Sequence, residues 1–211
     1  MHSTLVPELD EYGNVEGFII LTQDITTRKQ LELELQQQAH QDTLTGLPNR
    51  RAMEQQLPAA LARADRIEQP MALLFMDLDG FKAVNDTWGH DAGDEVLRQF
   101  ARRIRQQIRE TDQLFRLAGD EFTLLLENLH HGEMDATRIA EKILSAMQTP
   151  FQLATTEVTL SSSIGIALYQ PGILRDADSL LSAADGAMYQ AKHAGKNRFV
   201  LAACAPPSPT A

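Results

Sequence analysis

A continuous apolar run that ends in two acids is the feature that most constrains how this chain folds. The run spans Met71–Asp79 and reads MALLFMDLD. An unbroken apolar stretch of this length is typical of a buried strand. Its carboxyl end carries Asp77 and Asp79. We therefore predict a buried strand with a functional end.

The segments around this strand follow a defined order. We predict helices over Arg51–Arg66, Gly93–Ile108, Glu133–Met147 and Ser179–His193, and strands over Gln113–Leu117, Phe122–Glu127, Glu157–Leu168 and Arg198–Leu201. Pro58 would kink or split the first helix, and Gly165 would form a β-bulge. From Met71 the order is β-α-β-β-α-β, which predicts an α+β, ferredoxin-like fold with helices on one face of a central antiparallel sheet.

The chain divides into four predicted segments. Residues 42–203 hold the pattern above and form the main domain. Residues 1–26 contain one predicted strand, Val15–Leu21, after a turn at Gly13. Residues 27–41 form a helix with a narrow apolar stripe, and its periodicity fits both a solvated connector and a signalling helix that pairs with its copy in a dimer. Residues 204–211 form a tail that we expect to be disordered.

Charge and composition narrow the classes of partner. The formal net charge is -10, and an acidic surface disfavours broad nucleic-acid binding. The single cysteine, Cys204, cannot form a disulfide framework. The sequence holds neither an apolar run of the ~20 residues that cross a membrane nor the features of a signal peptide. We expect a cytoplasmic location and no membrane partner in this chain.

The predicted fold would bring acids from two distant segments together. Asp77 and Asp79 end the first strand, and Asp120 and Glu121 lie in the turn AGDEF between the two hairpin strands. Oxygen ligands of this kind suit Mg²⁺, which takes one or two carboxylates and leaves other positions to water and phosphate. Gly119 would let a phosphate approach the backbone closely. Taken alone, the AGDEF turn favours the alternative interpretation, a solvated Asp-Glu pair at the tip of a hairpin.

A second polar cluster follows the first strand. Lys82 could neutralise a triphosphate, and Asn85 with Asp94 offers an amide and a carboxylate that could read a purine edge. The carboxylate would accept the paired N–H donors that guanine presents and adenine lacks. The alternative is a polar loop in which Asp91 or Asp94 caps the next helix.

Four motifs carry a resemblance to a known family. DLDGFKAVNDTWGHDAGDEVL, RLAGDEF, SSSIGIAL and AADGAMYQAKHAGKNRF occur in this order, and together with DTLTGLPNR they closely resemble the GGDEF-domain diguanylate cyclases. The resemblance runs from Asp42 to about Val200. It implies a ferredoxin-like, polymerase-palm-like core that binds one GTP. Two such domains in a homodimer would join their GTP molecules into cyclic di-GMP and release two pyrophosphates.

The resemblance also implies a role for each matching residue. Asp77, Asp120 and the carbonyl of Leu78 would bind Mg²⁺, with Mn²⁺ as an alternative, and Asp120 would be the catalytic base. Glu121 would support the metal site, and Lys82 would stabilise charge in the transition state. The guanine-binding residues would be Asn85 and Asp94, and the terminal phosphates would bind Lys192 and Lys196, the second of which is often Arg in the family.

RETD, Arg109–Asp112, lies five residues before AGDEF. In the family an RxxD motif at this spacing is the product-inhibition site, so the resemblance assigns Arg109 and Asp112 to cyclic di-GMP binding. The alternative is structural: the arginine stabilises a helix end and the aspartate begins a turn.

One feature leaves the function open at this point. Ala118 stands where the family has its first glycine, and a positive φ there would strain the backbone. The chain is therefore either an active cyclase or a non-enzymatic receptor for cyclic di-GMP or GTP. A cyclase that makes another cyclic dinucleotide is a third hypothesis, which Asn85 and Asp94 disfavour.

Residues 1–26 resemble the end of a PAS sensor domain, which implies an upstream sensor.

Overall fold

A computed structural model of the chain describes residues 2–9, 11–26, 39–172 and 176–203. The chain separates into two compact units, Met1–Ala39 and His40–Ala211. Most of the predicted helix at 27–41 and the whole of the tail at 204–211 lie outside the described residues.

The first unit contains a β-hairpin. Strand β1 (His2–Leu9) pairs antiparallel with β2 (Val15–Gln23), and Gly13 lies in the connecting turn with a φ of 85°. The prediction of a single strand was wrong, because His2–Leu9 forms a second strand although it contains Pro7. Both strands of a two-stranded sheet are edge strands, where proline is tolerated.

The second unit is built on a five-stranded sheet. Its strands are β3 (Met71–Asp79), β4 (Gln113–Ala118), β5 (Glu121–Leu126), β8 (Ser161–Tyr169) and β9 (Arg198–Leu201), in the order β4-β5-β3-β8-β9. All neighbours are antiparallel except the edge pair β8 and β9. The first four strands have the ferredoxin-like order, as predicted. A short hairpin, β6 (Phe151–Gln152) with β7 (Glu157–Val158), precedes β8.

Helices cover both faces of this sheet, so the prediction that they cover one face was wrong. Helices α1 (Arg50–Ile67) and α5 (Ala177–His193) pack with Met71, Leu73 and Phe75. The other face of β3 packs with α2 (Phe81–Trp88), α3 (His90–Arg105) and α4 (Glu133–Met147). All nine residues of β3 are buried, which explains why its sequence is apolar without alternation.

Two glycine positions correct the sequence-based expectations. Gly165 is not a bulge, since β3 and β8 pair without a register shift. A Cβ on Gly165 would instead collide with the carbonyl oxygen of Ala184 and the amide nitrogen of Met188, so this glycine lets α5 lie directly on the sheet. Gly89, with a φ of 82°, separates α2 from α3 and is the N-cap of α3. The alternative of a polar loop with an aspartate cap is therefore wrong, since the segment forms two helices joined by one glycine.

Helix α1 is continuous through Pro58 and is capped by Asn49, whose side chain accepts a hydrogen bond from the Ala52 amide at 3.1 Å. None of the helices in the described ranges is both long enough and apolar enough to span a membrane.

Candidate active site

The register of β3 and β5 brings the two acidic segments together. Asp77 lies directly opposite Glu121, and Gly119 and Asp120 form the turn that precedes Glu121. Burial raises the pKa of Asp77 to about 6, and the negative charges of Asp120 and Asp79 act in the same direction. The expected convergence of acids from distant segments is confirmed.

Lys192 reaches this acidic cluster from the last turn of α5. Its Nζ atom lies 2.7 Å from Oδ2 of Asp77, whose side chain is 11% exposed. This ion pair lowers the pKa of Asp77 and opposes the larger effect of burial. The ammonium group of Lys192 therefore lies beside the carboxylates, where it can also contact an anionic ligand.

Asp79 has different hydrogen-bond partners from Asp77. Its two carboxylate oxygens accept hydrogen bonds from the hydroxyls of Ser161 and Ser163, each at 2.7 Å. The Asn197 amide also donates to Asp79, at 3.2 Å. Asn197 and Lys196 both have positive φ, a conformation that costs non-glycine residues about 1–2 kcal/mol. Asp79 thus holds the left-handed turn beyond α5 that presents Lys196.

The AGDEF turn is anchored by an arginine that our sequence analysis did not single out. Arg116 donates to the Gly119 carbonyl through Nε at 3.0 Å and through Nη2 at 2.8 Å. Its Nη1 donates to both carboxylate oxygens of Asp42, at 2.9 and 3.0 Å. The available signal was an arginine inside an otherwise apolar strand, in RLAGDEF, together with the acid of DTLTG.

The expected strain at Ala118 does not occur. Positive φ in this turn is found at Gly119, at 49°, and not at Ala118, which is exposed. The alanine therefore fits the turn without backbone strain.

The residues expected to recognise the base, together with the phosphate-binding Lys82, lie on two adjoining helices. Lys82 and Asn85 lie on α2, and Asp94 lies at the start of α3. Lys82 is exposed, whereas Asn85 and Asp94 are half-buried. The Asn85 side chain passes over Gly93, the residue before Asp94, so the amide and the carboxylate lie at the same helix junction.

Arg109 and Asp112 lie in a separate cleft of about 210 Å³ that also includes Arg138 and Lys142 of α4. Oδ2 of Asp112 accepts a hydrogen bond from the Arg109 amide at 2.9 Å, so the structural alternative for the aspartate, a turn, is present. Burial raises the pKa of Asp112. Arg138 was missed because nothing in the spacing of RETD relates it to a helix that begins more than twenty residues later.

The carboxylates at the acidic site fit a magnesium ion that takes some of its ligands from the protein and the others from phosphate and water. Across the described ranges, no group of three or more His, Cys, Asp and Glu side chains is arranged to hold a metal alone. Two carboxylates, Asp77 and Asp120, interact at the site. Mg²⁺ commonly binds one or two carboxylates and fills its remaining positions with water and phosphate oxygens.

Most of the chain matches the model of a known protein family. The family described as "Diguanylate cyclase, GGDEF domain" matches residues 39–198. The chain belongs to the GGDEF family.

Relatives of this GGDEF chain include two proteins of Pseudomonas aeruginosa. The bifunctional diguanylate cyclase/cyclic di-GMP phosphodiesterase MucR is 47% identical over 166 residues, which are 79% of this chain and 24% of MucR. The diguanylate cyclase TpbB is 47% identical over 169 residues, which are 80% of this chain and 38% of TpbB. The chain thus spans well under half the length of these relatives.

Solved GGDEF structures have the same fold. The isolated GGDEF domain of TpbB aligns with a TM-score of 0.74 and 46% identity, covering 77% of this chain and 94% of that domain. The coiled coil and GGDEF domain of DgcB from Caulobacter crescentus, in complex with c-di-GMP, aligns with a TM-score of 0.75 and 29% identity, covering 83% and 92%.

Proposed function

We propose that this chain carries the catalytic domain of a diguanylate cyclase, which condenses two GTP molecules into cyclic di-GMP and two pyrophosphates. The observation that supports it most is the β3–β5 register, which sets Asp77 opposite Glu121. The same cluster includes Asp120 and the ammonium group of Lys192, 2.7 Å from Asp77. An arrangement of carboxylates beside an ammonium group suits the transfer of a nucleotidyl group.

In this reaction the 3′-hydroxyl oxygen of each GTP attacks the α-phosphorus of the other. A new phosphodiester bond forms and the bond to pyrophosphate breaks. Asp120 accepts the proton that the hydroxyl loses, since it lies in the AGDEF turn beside Asp77. Gly119 leaves this turn without a side chain, and a Cβ built at this position would meet nothing within 4 Å.

A divalent metal is generally required by diguanylate cyclases, and the residues here suit Mg²⁺, with Mn²⁺ as the alternative. Asp77, Asp120 and the carbonyl of Leu78 would hold it, with Glu121 in support. When bound, the ion offsets the negative charge that develops on the phosphoryl oxygens.

Three lysines bind the phosphates in the proposed complex. Lys82 stands at the start of α2, Lys192 at the end of α5 and Lys196 in the left-handed turn held by Asp79. Asn85 and Asp94 read the guanine edge. Each domain holds one GTP, so a homodimer is needed to bring two substrates together.

Product inhibition is assigned to the cleft of Arg109 and Asp112. Arg138 adds a second guanidinium group to that cleft. A guanidinium can contact phosphate and guanine together.

An upstream sensor is proposed because residues 1–26 resemble the end of a PAS domain. The exposed apolar side chains of Leu5, Leu9 and Phe18 on the hairpin are consistent with a strand pair taken from a larger sheet.

The receptor hypothesis remains the second candidate, and the separate Arg109 cleft favours it. A receptor would bind cyclic di-GMP there without synthesis. The absence of positive φ at Ala118 supports the cyclase instead, because the one departure in the motif does not strain the turn.

The deciding experiment is incubation of the purified chain with GTP and Mg²⁺, with cyclic di-GMP detected by mass spectrometry. We expect product from the wild type and none from Asp120→Ala, which should still bind cyclic di-GMP. Synthesis by Asp120→Ala would refute the role of the base. A wild type that stays inactive even when fused to a dimerising helix would favour the receptor.

A further inference from the structure

Gly93 occupies a position where helix propensity alone would favour another residue. It is the fourth residue of α3 and is buried. Glycine inside a helix is unfavourable relative to alanine, so a glycine retained there indicates a close approach by another group.

The group that approaches Gly93 is the side chain of Asn85. A Cβ built on Gly93 would collide with Oδ1 of Asn85 and lie 2.9 Å from its Cγ. The next atom is Cζ of Phe81, at 3.2 Å. All three nearest atoms belong to side chains of α2. At Gly165, by contrast, the nearest atoms are backbone atoms of α5. Gly93 therefore makes room for one amide side chain, and not for helix–helix packing.

The Asn85 amide depends on this space for its position. Within the described ranges, no residue forms a hydrogen bond with the side chain of Asn85 or of Asp94. Packing over Gly93 is then what places the amide next to Asp94, which immediately follows Gly93 in the chain. Any side chain at position 93 would displace the amide from this position.

We infer that Gly93 is a positioning residue for guanine recognition, acting through Asn85 and touching no substrate itself. The inference rests on the proposed role of Asn85 in reading guanine. It predicts that Gly93→Ala removes selectivity for the guanine nucleotide although the substitution improves helix propensity.

The chain contains a matched control. Gly186 is the other glycine within the described helices, and a Cβ there meets nothing within 4 Å. Both substitutions to alanine favour the helix, and Gly186→Ala should raise the melting temperature by about 2–4 °C, as a change of this size does in a protein of this length.

The test is a double-mutant cycle on Gly93→Ala and Asn85→Ala, with two measurements. The first is the Kd for 3′-deoxy-GTP and 3′-deoxy-ATP with Mg²⁺ by calorimetry, since these nucleotides lack the attacking hydroxyl. We expect Gly93→Ala to raise the Kd for the guanine nucleotide by about tenfold or more. It should add nothing in the Asn85→Ala background, and Gly186→Ala should bind like the wild type. Wild-type affinity in Gly93→Ala, or full additivity, would overturn the inference.

The second measurement separates this inference from the proposed function. The melting temperature should fall in Gly93→Ala alone, and the loss should disappear when Asn85 is also replaced by alanine, because the collision is then removed. If the wild type and Gly186→Ala fail to prefer the guanine nucleotide, the proposed reading of guanine is refuted. The thermal cycle still decides whether Gly93 positions the Asn85 side chain: coupled melting temperatures support that role, and additive ones overturn it.

Discussion

At the scale of single residues, Arg116 connects the opening of the main domain to the AGDEF turn. It donates to the Gly119 carbonyl and to the carboxylate of Asp42, and its own side chain is 11% exposed. A largely buried arginine with several hydrogen bonds is better ordered than a surface ion pair. The position of the turn therefore depends on a contact with the segment that enters the domain.

The Asp42 carboxylate gives this contact a defined pH dependence. Burial alone would raise its pKa, but hydrogen bonds from Thr45 and Arg116 outweigh burial and lower the pKa below 3.8. A depressed pKa in the folded state stabilises the fold above the unfolded pKa, and this contribution is lost as the pH falls through the folded pKa.

We therefore expect Asp42→Asn to lower the free energy of unfolding at neutral pH by about 1–3 kcal/mol. The difference from the wild type should shrink as the pH falls below 3.8, the ordinary value for aspartate. Urea unfolding followed by circular dichroism across this range measures both. A difference that stays constant with pH would show that the charge of Asp42 does not stabilise the fold.

The sequence predicted the acidic residues of the site better than the residues that hold the site in place by hydrogen bonds. Asp77 and Asp120 could be brought together from the sequence because strand order follows from local patterns and the βαββ rule. The bond between Arg116 and Asp42 joins residues 74 positions apart, and no local periodicity encodes it. Asp79 looked like Asp77 in the sequence, and the structure distinguishes the two by the hydrogen bonds that Asp79 accepts from Ser161 and Ser163.

At the scale of elements, α5 and the sheet are in unusually close contact at Gly165. The helix carries Lys192 at its end and leads into the turn with Lys196, so its height above β3 sets where both ammonium groups lie. Sequence periodicity predicted α5 and α4 well because each has a regular buried face. It missed α2 because eight residues between two glycines show too few turns for a periodic signal.

Gly165→Ala should move α5 away from the sheet. We expect a loss of about 1–3 kcal/mol in the free energy of unfolding, typical of overpacking, and a higher KM for GTP because the lysines shift. Gly186→Ala on the exposed side of the same helix is the control and should leave the KM unchanged. An unaltered KM in a folded Gly165→Ala protein would mean that helix height does not position the lysines.

The cleft beside α3 and α4 is a separate element-scale feature with its own prediction. Arg109→Ala should leave the initial rate of synthesis unchanged and weaken inhibition by added cyclic di-GMP at least about tenfold, since a charged hydrogen-bonding group is lost. Arg98→Ala, at an exposed arginine of α3 outside the cleft, is the control. Inhibition that is equally strong in Arg109→Ala would place the regulatory site elsewhere.

At the scale of the whole molecule, one proposed site per domain makes the reaction depend on assembly. We expect the rate per mole of protein to rise with protein concentration and then to level off, because only paired domains hold two substrates. Adding folded Asp120→Ala protein should depress the rate of a fixed amount of wild type, since mixed pairs lack one base. A rate per mole that is independent of concentration and insensitive to this addition would contradict a reaction shared between two chains.

The hydrogen bonds of Arg116 also bear on how such a domain is exchanged between proteins. The boundary between the two compact units falls between Ala39 and His40, whereas the partner of Arg116 is Asp42. A chimaera joined at that boundary keeps the aspartate with its arginine and so inherits an intact AGDEF turn under any foreign input module. A chimaera joined after Asp42 would carry the other protein's residue at this position. The geometry of the AGDEF turn would then depend on whether that residue can accept the hydrogen bonds of Arg116.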